Sequence, residues 1–233
     1  MEAERPPRRL VWSQATVTGT TDETVSARTI VFDVPGWTSH RAGQHIDVRL
    51  TAPDGYQASR SYSLSSGPGE APQITVERLP EGEVSPFMVD VVEIGDTFEV
   101  RGPIGGYFVY DPEPAPLLLI GGGSGITPLR SMWRCAPDPS LVTILYSART
   151  SDRIIFKGEL ADYGGRVSIH LTRETESAYR SGRISKSDLR NALTDEAPPA
   201  VYVVGPTSFV ETVVAELGPM LTDPRAIKTE RFG

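Results

Sequence analysis

Short runs of alternating hydrophobic and polar residues fill the first half of the chain. They are separated by turn residues, as strands of an antiparallel sheet are, and they predict a sheet that is closed on itself or sandwiched. One segment differs, because residues 84–92 (VSPFMVDVV) have helical spacing and Ser85 could cap the start of a helix. The predicted strands lie in residues 15–21, 24–36, 43–55, 60–66, 73–80 and 96–109.

The second half of the chain alternates apolar strands with helical segments. This order predicts a mostly parallel, doubly wound sheet that binds ligands beyond the carboxyl ends of its strands. The predicted strands are Leu117–Ile120, Leu141–Tyr146, Val167–Leu171, Ala200–Val204 and Ile227–Thr229. The predicted helices are Pro128–Cys135, Ile154–Tyr163, Lys186–Leu193 and Ser208–Leu217.

A proline-rich segment, DPEPAP at residues 111–116, separates the two patterns. Its three prolines stiffen the connection and prevent regular strand pairing. We therefore predict a first domain at residues 8–110, a linker at 111–116 and a second domain at 117–233.

The amino-acid composition excludes several classes of function. The net charge of the 233 residues is −7, which disfavours nucleic acid and anionic membranes as partners. The single cysteine, Cys135, excludes an internal disulfide and a four-thiolate cluster, and the three histidines do not group into a metal site. No run approaches the roughly 18 apolar residues of a membrane span, so we expect a cytoplasmic protein without membrane partners.

A glycine-rich turn follows the first strand of the second half. Residues 121–128 read GGGSGITP, and proline at a first helical position costs no hydrogen bond. Glycines allow a backbone to approach a pyrophosphate, and the free N–H groups of a helix start attract its charge. A tight strand-to-helix turn without a ligand explains the glycines alone equally well. No lysine follows the last glycine, so the turn is not a P-loop.

The next strand runs into residues 147–153 (SARTSDR). In the common dinucleotide fold an acidic residue about 20 positions after the glycines binds the ribose hydroxyls. The chain has none there. Arginine and hydroxyl groups suit a 2′-phosphate that a carboxylate would repel, so Ser147, Arg149 and Arg153 favour NADPH over NADH as the electron donor. The alternative interpretation is that Arg149 and Arg153 lie in a solvated loop and bind no ligand.

Several spaced motifs together resemble the ferredoxin–NADP reductase superfamily, and more closely the reductase components of multi-component oxygenases. They occur in the family's order over nearly the whole chain: RSYS at residues 60–63, GEVS at 82–85, the glycine turn at 121–128, Gly205-Pro206 and the terminal ERFG at 230–233. The resemblance implies a flavin-binding antiparallel β-barrel followed by a nucleotide-binding α/β domain. It implies FAD as the flavin, although some relatives take FMN.

The resemblance also assigns roles on the flavin side. Arg60 would pair with the flavin phosphate, Tyr62 would stack on or border the ring, and Ser63 would act beside flavin N5. Ser85, after Gly82, would help to cradle the pyrophosphate with backbone N–H groups. Three neighbours, Leu64, Ser66 and Val84, are assigned to the same site.

On the nucleotide side, Thr127 would lie near the nicotinamide and act with Ser63 in catalysis. The turn residues Gly121, Gly123, Ser124 and Gly125 would lie near the nucleotide pyrophosphate. Gly205 and Pro206 would lie where the nicotinamide arrives, and Phe232 would cover the flavin. The chain departs from the family at Val204, where a cysteine is common.

The resemblance implies an NAD(P)H oxidoreductase. One cysteine cannot build the [2Fe–2S] domain of many relatives, so electrons would pass to a separate ferredoxin, oxygenase component or haem protein. Two alternatives stay open at this point. The protein could be a flavin reductase that releases reduced flavin, or a non-catalytic nucleotide-sensing subunit.

Overall fold

The computed structural model describes residues 10–193 and 200–232, and its first half is an antiparallel sheet of six strands in the order β4-β3-β6-β1-β2-β5. The sheet curls until its edge strands meet at an antiparallel bridge between Leu64 and Ile74. A short helix, α1 (Ser85–Asp90), packs beside it. The strands are β1 (Ser13–Thr24), β2 (Ala27–Asp33), β3 (His45–Thr51), β4 (Gln57–Ser63), β5 (Gln73–Glu77) and β6 (Thr97–Ile104).

The second half is a parallel sheet of six strands in the order β10-β9-β8-β7-β11-β12. The strands are β7 (Leu117–Gly122), β8 (Val142–Ala148), β9 (Arg166–Leu171), β10 (Arg180–Ser181), β11 (Ala200–Pro206) and β12 (Ile227–Phe232). The helices are α2 (Ile126–Cys135), α3 (Lys157–Ala161), α4 (Lys186–Ala192) and α5 (Thr207–Leu217).

The apolar strands of the parallel sheet are buried on both faces. Leu119 and Ile144 face a core that includes Leu129 of α2. Leu118 and Val203 face the other core, with residues of α4 and α5. The predicted fold class, an antiparallel barrel followed by a doubly wound parallel sheet, is confirmed.

One hydrophobic cluster contains residues of both domains. Phe108 and Tyr110, which follow β6, belong to the cluster that also holds Tyr202 of β11. The hydroxyl of Tyr202 and the ammonium group of Lys228 both donate to the carbonyl of Val109, at 2.8 Å. These contacts fix the barrel against β11 and β12. Residues 111–116 form neither helix nor strand, and the domain limits remain a prediction.

Some predicted elements were wrong in extent. The helix expected at Ile154–Tyr163 is only Lys157–Ala161, because Ile154 and Ile155 are buried and Phe156 has φ +59°. The Phe156 ring packs edge-on against Trp133 at 6.1 Å, so tertiary packing overrides helical spacing here. The strand expected at residues 96–109 ends at Ile104, and β10 was not predicted.

Two helix starts also differ from prediction. Helix α2 begins at Ile126, so Pro128 is its third residue; its missing N–H still costs nothing, because the first four N–H groups have no helical partner. Val84, and not Ser85, is the N-cap of α1. The Ser85 hydroxyl instead accepts a hydrogen bond from the Leu79 N–H at 3.1 Å. Within the described residues no helix has the length and apolar character needed to cross a membrane.

Candidate site at the domain interface

A hydrogen bond joins the two domains at the end of β4. The Ser63 hydroxyl donates to Oε1 of Glu230 at 3.2 Å. Glu230 lies on β12, directly beside Val204 of β11 in the parallel register, and Val204 in turn pairs with Gly121 of β7. Ser63 is therefore held next to the carboxyl ends of three parallel strands, where this type of sheet binds ligands.

Glu230 is half-buried at this position. Burial raises the pKa of its carboxyl above the usual range, and the hydrogen bond from Ser63 opposes that shift. Glu230 therefore holds its proton up to a higher pH than an exposed glutamate does. Glu230 belongs to the ERFG motif, but nothing in the sequence places it beside Ser63, so the sequence alone assigns it no role.

The glycine-rich turn packs tightly on the end of β11. A Cβ at Gly125 would lie 2.5 Å from the carbonyl oxygen of Val204, and one at Gly122 would lie 2.9 Å from the Phe209 ring. Gly123 has φ +57°, a conformation that glycine adopts without strain. The structure thus brings the turn next to Gly205, Pro206 and the last residues of β12.

Thr127 lies in the first turn of α2, just after the glycine turn. Its side chain is buried, and Oγ1 has no hydrogen-bond partner among the described residues. A buried hydroxyl without a partner is costly, so such a group commonly serves a ligand or an ordered water. Phe232, which pairs with Pro206, is partly exposed at the same end of the sheet.

Val204 lies near the end of β11, at the position where the resemblance led us to expect a cysteine. Its side chain is buried in the core shared by the two domains, together with Tyr202 and Phe108. The valine therefore completes apolar packing at the end of β11.

A second group of predicted residues lies at the open end of the barrel. Arg60 is exposed on β4 and pairs with Glu83 at 3.4 Å. Tyr62 is half-buried against the barrel core, and burial raises its pKa to about 12. Glu83 follows Gly82, whose α-carbon faces the hydroxyl of Ser85 so closely that a Cβ would lie 2.8 Å away.

A cavity of about 960 Å³ opens beside this group. Its walls include Tyr56, Ala58, Glu83 and Phe87. The volume is in the range of small-molecule and cofactor sites.

Three predicted residues are largely buried. Leu64 and Val84 belong to the barrel core, and Val84 also lines the cavity of about 960 Å³. Ser66 is also buried, and its hydroxyl accepts a hydrogen bond from the Gln73 N–H. The Ser66 carbonyl accepts from Ser131 of α2 at 2.5 Å. Leu64 and Ser66 therefore support the fold around the site, while Val84 also forms part of the cavity wall.

The three residues predicted to bind a 2′-phosphate differ from one another in exposure and in hydrogen bonding. Ser147 is half-buried at the end of β8, and Arg149 is exposed. In the part of the chain that the structure describes, the Arg149 side chain forms no hydrogen bond or ion pair. Arg153 donates to the hydroxyl of Ser26 in the barrel at 3.0 Å. Within residues 10–193 and 200–232, no group of three metal-ligating side chains is found.

Comparison with known proteins agrees with this architecture. The oxidoreductase FAD-binding domain family matches residues 14–110, and the oxidoreductase NAD-binding domain family matches residues 119–215. Together the two family models cover most of the chain, which therefore carries an oxidoreductase FAD-binding domain followed by an oxidoreductase NAD-binding domain.

Three relatives illustrate the similarity. The glycine betaine monooxygenase reductase subunit of Chromohalobacter salexigens is 32% identical over 91% of this chain and 61% of its own length. An NADPH oxidoreductase of Mycobacterium tuberculosis is 32% identical over 82% and 52%. The solved structure of an Amycolatopsis cytochrome P450 reductase matches with a TM-score of 0.84 and 26% identity, over 98% of this chain and 72% of its own. The chain spans about three fifths or less of the curated relatives' length.

Proposed function

We propose that the protein is a flavin-dependent NAD(P)H oxidoreductase with FAD at the domain interface. The proposal rests on the hydrogen bond between Ser63 and Glu230, which joins the two domains at the carboxyl ends of the parallel strands. The buried, unpartnered hydroxyl of Thr127, at the start of the helix that follows β7, supports it. When bound, FAD supplies a ring that accepts hydride from the nicotinamide and releases electrons singly. The protein's task is then to align the two ring systems and exclude water.

The residues around Arg60 fit the phosphate side of a flavin. The Arg60 guanidinium donates to the carbonyl of Ser59 at 2.8 Å and pairs with Glu83 at 3.4 Å. It is half-exposed, so its remaining N–H groups can bind a phosphate. Tyr62 offers a flat ring at the neighbouring inward position of β4. The adjoining cavity provides room for the nucleotide part of the cofactor. This room favours FAD over the smaller FMN.

The residues at the interface would orient the reacting ends. We assign the Ser63 hydroxyl to hold a hydrogen bond beside the flavin ring, with Glu230 fixing the direction of that hydroxyl. Thr127 would bind the amide of the nicotinamide, which would satisfy its buried Oγ1. Gly121, Gly123, Ser124 and Gly125 would hold the nucleotide pyrophosphate, and Gly205 and Pro206 would border the nicotinamide. Phe232 would cover the flavin.

NADPH is the donor we propose. Arg149 is exposed at the end of β8 with no competing partner in the described chain, so its guanidinium is available to a 2′-phosphate. Ser147 lies at the same strand end. Arg153 has N–H groups beyond the one given to Ser26, and these would add to the positive field. The name of the mycobacterial NADPH oxidoreductase is consistent with this preference.

The electron acceptor is proposed to be a separate redox protein. A [2Fe–2S] cluster held by four cysteines cannot lie within these 233 residues, because they contain one cysteine. Two of the three relatives named above are a monooxygenase reductase subunit and a cytochrome P450 reductase. A ferredoxin, an oxygenase component or a haem protein would each meet this requirement.

Reconstitution with FAD tests the proposal. The protein is loaded with FAD, passed through a desalting column and assayed for NADPH-driven reduction of ferricyanide, a one-electron acceptor. We expect FAD to stay bound and ferricyanide to be reduced. Loss of FAD on the column, with activity restored only by free flavin, would instead identify a flavin reductase. Retention of FAD without NADPH oxidation would favour a sensing subunit.

A further inference from the structure

A second cavity, of about 660 Å³, lies on the parallel sheet outside the candidate site. It opens between strand β9, helix α4 and residues 177–180, which end at the first residue of β10. Four consecutive residues of β9, 166–169, line it. Strand β10 pairs only with His170 and Leu171, so the first part of β9 has no neighbouring strand on that side, and the cavity fills this space.

The cavity is separate from the proposed nucleotide site. It is lined by Thr143 and Leu145 of β8, whereas the nucleotide residues follow the carboxyl end of that strand from Ser147 onward. At roughly 3.3 Å per residue, Thr143 and Ser147 are about 13 Å apart along the strand. Leu145 also belongs to the core on the α4 and α5 side of the sheet, while the glycine turn leads into α2 on the opposite side.

Two arginines with unused donors face this cavity. Arg166 donates one N–H to the carbonyl of Asn191 at 2.7 Å, near the carboxyl end of α4, and its other guanidinium donors have no partner in the described chain. Arg180 also lines the cavity, and within the described residues its side chain forms no hydrogen bond or ion pair. Guanidinium groups bind carboxylate and phosphate oxygens in bidentate fashion.

Among the described residues, one carboxylate lies in the cavity wall, and it is already engaged. Oδ2 of Asp188 accepts from the N–H of Ser185 at 2.8 Å, and the Ser185 hydroxyl accepts from the N–H of Asp188 at 3.2 Å, which together form the capping box of α4. Hydrogen bonds from Ser185 lower the pKa of Asp188 against the effect of burial. Asp188 is thus a helix cap, and it offsets only part of the charge of the two arginines.

A buried histidine stands behind the cavity wall. His170 is 1% exposed, and its Nδ1 has no partner among the described residues. Its Nε2 lies 3.3 Å from the hydroxyl of Ser168, which does line the cavity. Polar groups buried with incomplete hydrogen bonding are uncommon in structural cores. Here the His170 ring lies next to a cavity that is lined by two arginines with free N–H donors.

The other walls are apolar. Leu145, Val167, Ala178 and Ala192 contribute aliphatic surface, and Tyr179 contributes a ring. Binding sites for small ligands combine such walls with a few charged or polar groups, and their volumes are about 300–1,000 Å³.

We propose that this cavity binds a small organic anion, with Arg166 and Arg180 holding its carboxylate or phosphate group and the apolar wall covering its body. The site is distinct from the flavin and nucleotide sites. The inference therefore does not depend on the proposed function.

Calorimetric titration tests the site with phenyl phosphate, benzoate and uncharged benzamide as probes. The FAD-reconstituted protein is used with saturating NADP⁺, so that the proposed nucleotide site is filled. We expect one saturable site for an anionic probe, with a dissociation constant of about 1 mM or tighter, and binding of benzamide at least tenfold weaker. The better of the two anions identifies the preferred acidic group.

Variants link the binding to the cavity. Arg180→Gln should weaken anion binding by about tenfold or more, and Arg166→Gln should act in the same direction. Arg225→Gln, at an exposed arginine on a distant turn that pairs with Asp223, should leave binding unchanged. Within the described residues the Arg180 side chain forms no hydrogen bond or ion pair, so its variant remains informative even if Arg166→Gln destabilises α4. Equal binding of benzamide, no saturable anion binding, or unchanged binding in Arg180→Gln would each overturn the proposal.

Discussion

Ser63 and Glu230 form a hydrogen bond across the domain interface, although they are 167 positions apart in the sequence. Ser63 ends the strand that carries the RSYS motif, and Glu230 lies on the last strand of the parallel sheet. The bond therefore couples the flavin side of the proposed site to the nucleotide side. Any shift of one domain against the other would change its length.

Glu230 should make stability depend on pH. Because burial raises its pKa in the folded protein, the folded state binds a proton more tightly than the unfolded state does. The free energy of unfolding should therefore fall as pH rises from the ordinary glutamate pKa, about 4.3, through the raised value. In Glu230→Gln this fall should disappear. Urea unfolding at a series of pH values measures it.

The control for this variant is Glu211→Gln, at an exposed position on α5. It should keep the wild-type dependence on pH. A wild-type fall that persists unchanged in Glu230→Gln would show that another group causes it.

Arg60→Ala should release the flavin. Loss of a desolvated partner of a phosphate costs roughly 2–5 kcal/mol of binding free energy, so FAD should be lost on desalting. Arg78→Ala is the matched control, since Arg78 also pairs with an acid at 3.4 Å, Asp90 of α1, and it should retain FAD. Fluorescence titration with FAD compares the two. Wild-type affinity in Arg60→Ala would remove the phosphate assignment.

Arg149→Ala should weaken NADPH binding and spare NADH. A guanidinium that binds the 2′-phosphate is worth about 1.5–3 kcal/mol, which corresponds to a rise of roughly tenfold or more in KM for NADPH. Arg225→Ala should change neither value. Steady-state kinetics with both nucleotides provide the comparison. Equal effects of Arg149→Ala on NADPH and NADH would contradict the preference.

Arg130 should stabilise the domain interface. Its guanidinium binds Glu159 at 2.7 Å and donates to the carbonyl of Ser65 and the side chain of Gln73 in the barrel, at 3.2 and 3.1 Å. The side chain is only 13% exposed. Removing it should lower the free energy of unfolding by about 3 kcal/mol, whereas Arg225→Ala should change it by less than about 1 kcal/mol. Denaturant unfolding of both variants distinguishes a structural contact from a surface one.

Much of the fold could be predicted from periodicity. Leu117–Ile120 and Ala200–Val204 are apolar throughout because both faces of a parallel strand are buried. The short helix α3 could not be predicted from spacing. Ile154 and Ile155 are apolar because they pack in the core, although the segment that they form is not helical. Phe156 takes a positive φ that only tertiary contacts explain.

The site was only partly predictable for a related reason. Motifs locate Arg60, Ser63 and the glycine turn, because each has a local signature. The partner of Ser63 has none, since Glu230 reaches it only after β12 pairs with β11 and the domains dock. The contact between Arg153 and Ser26 likewise depends on docking. The sequence shows which residue types could bind a ligand, but it does not show which residues from distant parts of the chain come into contact.

The most direct test of the account is an anaerobic titration of the FAD-reconstituted protein with NADPH, with NADH run beside it. The flavin's blue absorption band is followed at each addition. We expect NADPH to bleach the band at near-stoichiometric amounts and NADH to require a higher concentration. A protein that retains FAD, binds NADPH and shows no bleaching would contradict the claim that this interface aligns the two cofactors for hydride transfer.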